Sequence, residues 1–309
     1  GVLLTDGDIM GESNYPPLLP VVVERLRAQG MLEESAGAQV VYPGGWVNRE
    51  GEPMPLIIEK ADGAYNYATT ELACIIDRVE RLDCDDLLYV VGTPQSQHFK
   101  MVFQVAEQAG FMGDAHNAVH VNFGSVMDSD GKILKSREGE VIKLVDLLRE
   151  ATSRAEQAIA EKNPELQGTE REAVARMIGI GSVKYADLST ERSKDYVFDW
   201  DRMLAFEGNT SPYLQYAHAR IASILRLAQE NNIDYSDGDV SLLTDPAEMS
   251  LIRRMVMLPE LIESMAISLE PHHLPHYAQE MATAFHWFYQ QCRVVSSTPG
   301  DEAMTKARL

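Results

Sequence analysis

The sequence predicts an α/β segment built on a parallel sheet, followed by an all-α segment. Two observations carry this. Short runs of β type alternate with amphipathic helical spacing in the first half, and LLYVVG (87–92) is an unbroken apolar run of strand length, as a strand covered on both faces reads. From about Val145 the β pattern stops. Helical spacing, caps and first-turn prolines take over.

In chain order, Pro16 and Pro17 suit a first helical turn. Leu18, Leu19, Val22, Val23 and Leu26 form one apolar side, and Gly30 ends that helix. GAQVVYPGGW and MPLIIEK are β-type runs, and WVNREGEPMP between them reads as a hairpin turn. DGAYNYATTELAC (62–74) then joins a tight Asp-Gly turn to a helix with apolar positions Leu72, Ile75, Ile76, Val79 and Leu82. With LLYVVG after it, strand, helix and strand alternate as in a parallel sheet. TPQSQHF follows that strand, where doubly wound sheets bind ligands. Phe99, Val102, Phe103 and Ala106 continue into a helix. VHVNFG reads as a strand, SDG as a turn, and GKILKSREGE as a basic loop before a helix with Leu144, Leu147, Leu148, Ala151 and Ala155 inward. Asn163 before Pro164 is a stop. A further helix covers REAVARMIGIGSVKYADLS. Thr210 or Ser211 caps the next, with Pro212 in its first turn and Leu214, Ala217, Ile221, Ile224 and Leu225 buried. Asp245, Pro246 and Glu248 make a capping box.

With 309 residues the chain is long enough for two cores. Three cysteines without CxxC spacing point to reduced, structural thiols. No apolar run approaches a membrane span. The net charge of −20 argues against a protein that coats polyanions generally, because phosphate contacts need Lys and Arg; a local patch for one folded RNA stays compatible.

Four groups of residues invite a chemical reading. Tyr67 and Glu71 are four apart and share a helix side, where a ring and a carboxylate can hold a planar cation. From the residues alone, the plainer account is the better one: a half-buried tyrosine and a first-turn acid favoured by the helix dipole. Gln95 and His98 sit at a helix N-terminus that favours phosphate or carboxylate. There too the plainer account leads, with Thr93 or Ser96 as the cap and His98 in solvent. Lys132, Lys135 and Arg137 could fold over a triphosphate or be a solvated charge run. Tyr213 and Tyr216 are helix neighbours suited to RNA or to the edge of a core. His272, His273, His276, His286 and Cys292 match no common zinc spacing, and no metal site is expected.

Four ordered blocks resemble bacterial arginyl-tRNA synthetases, a class I family: DGAYNYATTELAC, TPQSQHF with its strand, GKILKSREGE, and DWDRMLAFEGNTSPYLQYAHAR. The resemblance implies a Rossmann-like, nucleotide-binding second half of a catalytic domain over 1–150. It implies a helical connecting region over 151–205 and an all-α helical-bundle anticodon-binding domain over 206–309. It implies arginine–tRNA ligase activity: activation of arginine by ATP, with Mg2+, and transfer to tRNA(Arg). Tyr67, Glu71 and Gln95 would bind arginine, and His98, His120, Phe123 and Gly124 would bind ATP. Lys132, Lys135, Ser136 and Arg137 would form the catalytic loop, and Tyr213 and Tyr216 would face the tRNA. Where the family usually has Asp this chain has Glu71, and Glu138 replaces a second loop lysine common in relatives. A monomeric, cytoplasmic enzyme is implied. The first residues resemble a region well downstream of the family's His-containing nucleotide signature, so the chain reads as a fragment, inactive alone. A non-catalytic tRNA-binding fragment or paralogue is the alternative. An unrelated doubly wound nucleotide enzyme is disfavoured by the lack of GxGxxG or a P-loop.

Overall fold

Helix α1 (Leu19–Ala28) buries Val22, Val23 and Leu26, three of its five expected inward positions, and the other two pack beside them. It stops as its sequence dictates. Gly30 adopts φ +69, and the amide of Met31 donates back to the carbonyl of Leu26. The structure, a computed structural model, describes residues 3–128, 130–133, 143–205 and 208–309.

Strands β1 (Glu33–Ser35), β2 (Ala38–Val41) and β3 (Leu56–Glu59) form an antiparallel sheet in that order. The segment before β3 is a hairpin turn, as expected: Val47 bridges Pro53, and the amide of Met54 donates to the carbonyl of Trp46. Helix α2 (Tyr67–Ile76) follows and runs into a π-turn over Asp77–Arg81. Strand β4 (Asp86–Gly92), helix α3 (Ser96–Gln108) and strand β5 (Asn117–Phe123) make a strand–helix–strand unit. Its two strands pair in parallel from Asp86↔Asn117 to Gly92↔Phe123. The parallel sheet is therefore present, but its first member differs from expectation. The strand before α2 pairs antiparallel with β2, and among the described residues it does not pair with β4. Alternation of strand and helix gives element order but not partner choice, and the loop of residues 42–55 brings β3 back to its hairpin mate β2 at little entropic cost.

One core unites these elements: Tyr15, Leu26, Ile58, Leu72, Ile75, Tyr89, Phe99 and Val102 are all buried in it. Val90 and Leu88 alternate outward on β4, so that strand is covered on one face rather than two among the described residues.

The chain divides into two compact units, Gly1–Phe123 and Gly124–Leu309. The second opens with β6 (Val126–Met127) and then turns helical: α4 (Leu144–Lys162) and α5 (Gly168–Ser189). Asn163 ends α4 by leaving the helical region, at φ −138 and ψ 76, as expected of a residue before proline. The two helices cross closely at Gly179, where an added Cβ would lie 2.6 Å from the Thr152 amide nitrogen. Strand β7 (Tyr196–Val197) pairs in parallel with β6. Gly124 is fixed in the same corner. Its amide donates to the Arg192 carbonyl, and a Cβ there would fall 2.4 Å from the Lys194 carbonyl oxygen.

Helices α6 (Trp200–Met203), α7 (Ser211–Glu230), α8 (Pro246–Val256), α9 (Leu258–Ser268), α10 (His273–Gln291) and α11 (Glu302–Arg308) complete the unit. Thr210 caps α7 through its hydroxyl, and the Asp245–Glu248 capping box forms on α8. The buried side of α7 is narrower than its apolar positions suggest. Ala217 is buried and Leu214 and Ile224 pack beside it, but Ile221 and Leu225 are about two-fifths exposed. Tyr213 takes part of that face instead. Glu248 is buried and carries the Arg308 guanidinium at 2.7 Å, which ties α11 to α8.

Two stability effects follow from these contacts. Arg308→Ala strands the buried Glu248 carboxylate and should lower the unfolding free energy by about 3 kcal/mol, read from urea denaturation of the chain. Gly124→Ala forces a side chain into the Lys194 backbone and should cost about 2–3 kcal/mol in the same measurement; an unchanged midpoint would show that the corner relaxes freely.

Candidate functional site

Asn66 stands just before α2 in extended conformation, and its side-chain oxygen accepts from the Tyr67 amide. The helix thus begins at Tyr67, early enough to place Tyr67 and Glu71 one turn apart on one side. Inside, Thr69 is fully buried and its hydroxyl donates to the Ile58 carbonyl at 2.5 Å, pinning the first turn to β3. Leu72, Ala73, Ile75 and Ile76 face the core. What α2 leaves outward is Tyr67, 72% exposed, and what it leaves half-covered is Glu71. No hydrogen bond joins the two. Tyr67 is more exposed than the half-buried ring expected from the residues.

Burial raises the Glu71 pKa above the ordinary carboxylate range; the charge of Arg78 opposes the rise and that of Glu12 adds to it. Arg78 lies in the π-turn with its guanidinium 4.7 Å from the centre of the Tyr89 ring. Tyr89 is buried on β4 and packed on Phe99 and Phe103. Tyr15 and Cys74 stand in the same polar group. Burial pushes the Tyr15 phenol up to about 12 and the Cys74 thiol up to about 11, so both are neutral at pH 7.

Beyond the end of β4, Gln95 is exposed at the N-cap of α3 and makes no side-chain cap. The expected caps act differently. The Thr93 hydroxyl donates to the Phe123 carbonyl, tying the ends of β4 and β5 together, and Ser96 donates to the Thr93 carbonyl. His98 is half-buried rather than solvated, and burial lowers its pKa, so it is neutral at pH 7. Its ring packs edge-on to Phe99, which also meets the ring of His120 at 5.1 Å. His120 also places Nε2 2.9 Å from the Val91 carbonyl oxygen. Phe123, at the end of β5, is 45% exposed. His98, Phe99 and His120 thus form one ring stack between α3 and β5. Gly124 belongs to the second unit, where backbone approach alone already demands glycine.

Lys132 is exposed after the Asp128 turn, in which the Asp128 carboxylate accepts from the amides of Asp130 and Lys132. Lys135, Ser136 and Arg137 lie outside the described residues.

In the helical unit, Tyr213 and Tyr216 on α7 both meet His286 of α10, at 5.0 and 5.6 Å between ring centres. Tyr213 is half-buried and Tyr216 half-exposed. The Arg220 guanidinium sits 4.5 Å from the Tyr216 ring and 4.4 Å from that of Tyr289, and also donates to the Tyr216 hydroxyl. Tyr216, Arg220 and Tyr289 line an open groove of about 360 Å³ with Ser223, Ile224 and Leu227. Arg220 escaped the sequence reading, and Tyr289, which its sequence neighbours Phe285 and Phe288 suggest packs within the bundle, is 42% exposed. The one signal available was that Arg220 follows Tyr216 by four residues on the same helix side.

The histidine set does not converge with Cys292. His286 is engaged by Tyr213 and Arg220, and Cys292 is buried in the bundle core. Glu270, His272 and His273 do approach, with ligand atoms within 4.8 Å of one another. His273 Nε2 lies 3.1 Å from Glu270 Oε2, an ordinary pairing for two partly exposed side chains.

A family model described as tRNA synthetases class I (R), catalytic domain, matches residues 1–200, and one described as DALR anticodon binding domain matches residues 214–309. The chain is 44% identical to the arginine–tRNA ligase of Laribacter hongkongensis over 98% of its own length and 52% of that protein. It is 44% identical to that of Edwardsiella ictaluri over 100% of its length and 53% of the relative. The chain therefore spans about half the length of the curated relatives it matches. The arginyl-tRNA synthetase of Plasmodium falciparum superimposes with a TM-score of 0.78 at 26% identity, over 97% of this chain and 49% of that one. The Thermus thermophilus enzyme, at 23% identity, shares the fold with the same TM-score over 95% of this chain and 55% of its own. An α/β catalytic portion followed by a helical bundle, with both matched by these models and relatives across nearly every residue, leads to one conclusion: the chain belongs to the arginyl-tRNA synthetase family of class I.

Proposed function

We propose that this chain is part of an enzyme that activates arginine with ATP and transfers it to tRNA(Arg). The observation that carries the reading is the half-buried carboxylate of Glu71 one turn beyond an exposed tyrosine, at the start of a helix that the core holds rigid. A carboxylate offers two oxygens to the fork of a guanidinium, and a phenol ring offers its face. Lysine presents a point charge in place of the fork and is the poorer fit. Gln95, exposed at the α3 N-terminus, adds an amide for the substrate. His98, His120 and Phe123 are assigned to ATP, with Gly124 supplying backbone. Lys132, Lys135, Ser136 and Arg137 are assigned to the charge that develops on the leaving pyrophosphate, with Mg2+ accompanying ATP. The chemistry is an in-line displacement at the α-phosphate. It needs positioning and charge stabilisation, and no covalent enzyme intermediate.

Domains follow the same reading: 1–150 as the catalytic portion, 151–205 as the connecting region and 206–309 as the anticodon-binding bundle. Tyr213 and Tyr216 are assigned to tRNA, and the groove supports extending the assignment to Arg220 and Tyr289. Rings and a guanidinium on an open surface suit stacked bases and phosphate. A monomer working in the cytoplasm fits this role. Among the described residues no helix is long and apolar enough to cross a membrane.

Aminoacylation by the full-length parent, assayed with each amino acid, tests the activity. Arginine alone should be accepted. Glu71→Gln should raise the arginine KM at least about tenfold while the ATP KM holds, since a charged hydrogen-bond partner is lost. Equal use of lysine and arginine would remove the reading. In the bundle, Tyr289→Ala should weaken tRNA binding by about 1–3 kcal/mol, the worth of one stacked base, measured by filter binding.

A further inference from the structure

Of three arginines around the end of α2, two are committed to carboxylates. Arg81 pairs with Asp77 at 2.5 Å, and Arg25 pairs with Glu80 at 2.5 Å. Arg78 has no such partner within 4 Å among the described residues. Its guanidinium is instead laid on the ring of Tyr89, 4.7 Å from the centroid, in a partly buried position. A guanidinium taken out of water is costly unless something compensates it. The ring offsets part of that cost. Asp77 also acts on Arg78 but is taken up by Arg81, so the acid left to supply the rest is Glu71, seven residues earlier and on the same helix side.

We propose that Arg78 is a positioning residue of the arginine site: clamped on Tyr89, it keeps the half-buried Glu71 charged and presented to the substrate. This rests on Glu71 being the acceptor of the substrate guanidinium. Two features of the local structure support it. Arg78 lies in a π-turn, a geometry that recurs at functional sites. Tyr89 is immobilised by Phe99 and Phe103, so the cation resting on it is fixed as well. The groups that face Glu71 electrically are Arg78, Glu12, Cys74 and Tyr89, and those around Arg78 are Glu71, Asp77, Tyr15, Cys74 and Tyr89. Burial and Glu12 both favour a protonated Glu71, and Arg78 is the group that works against them. Being a guanidinium itself, Arg78 must stay on its ring to leave the carboxylate oxygens open to a second one.

The test uses the full-length parent carrying Arg78→Met or Arg78→Lys, with Glu71→Gln as reference. Steady-state aminoacylation is followed from pH 5.5 to 8.5 with arginine and ATP varied separately. Arg78→Met should raise the arginine KM about tenfold, with the ATP KM within about twofold. Its arginine kcat/KM should fall off at higher pH than wild type on the acid side, because Glu71 then holds its proton longer. Arg78→Lys keeps the charge and should return the pH profile towards wild type. A folded Arg78→Met enzyme with unaltered arginine KM and acid limb overturns the proposal when Glu71→Gln is itself impaired. If Glu71→Gln also binds arginine normally, the assignment of Glu71 fails, and the proposal with it. Should Arg78→Met not fold, Arg78→Lys decides: a wild-type acid limb supports the proposal, and the limb expected for a missing charge overturns it.

Discussion

Helix α2 is buried along its inner length, and its first turn is fastened to the sheet by the hydrogen bond from Thr69 to the Ile58 carbonyl. Leu72, Ile75 and Ile76 each contribute about 1.5–3 kcal/mol by leaving water. Together they leave the helix no freedom to roll. A roll of one residue, 100°, would carry Glu71 into the core or Leu72 into solvent. The chemistry proposed for the site depends on that fixity, because a forked hydrogen bond to a guanidinium tolerates little angular error.

The same burial that fixes Glu71 also works against its charge. Half-covered carboxylates hold their protons more tightly, and here a second acid, Glu12, pushes in the same direction. A site that needs an ionised acid at neutral pH therefore needs a cation close by, one that does not itself occupy the acid. In the proposed site, the arrangement around the π-turn separates those two demands. Arg25 and Arg81 neutralise Glu80 and Asp77, and an aromatic shelf holds Arg78. Tyr15 and Cys74 complete the surroundings as neutral groups, since burial raises both of their pKa values far above 7.

The helical unit meets the opposite problem. The chain carries a net charge of −20, which repels nucleic acid at long range. Arg220 gathers positive charge between two aromatic faces on one groove, and Ile221 and Leu225 stand partly exposed on the same helix. In the tRNA-binding role proposed for this groove, concentrating the attraction in a small ringed surface would let shape and stacking select one RNA.

The sequence by itself determined the elements and their order. Apolar spacing placed α1, α2 and α3. Gly30, Asn163, Thr210 and the Asp245–Glu248 pair marked ends and caps, and all of these act where local chemistry requires, because each is satisfied within a few residues. Only the tertiary structure decided which strand pairs with which. The hydrogen-bonding edge of β3 carries no mark of its partner, and a hairpin mate outcompeted the later strand. It also decided the roles of Thr93, Arg78, Tyr89, Arg220 and Tyr289. Their partners are the Phe123 carbonyl, side chains on other elements, or a ring one helix away, and contacts of that kind leave no period in the sequence. The requirement for glycine at position 124 is of the same sort, since the backbone it must clear lies seventy residues further along the chain.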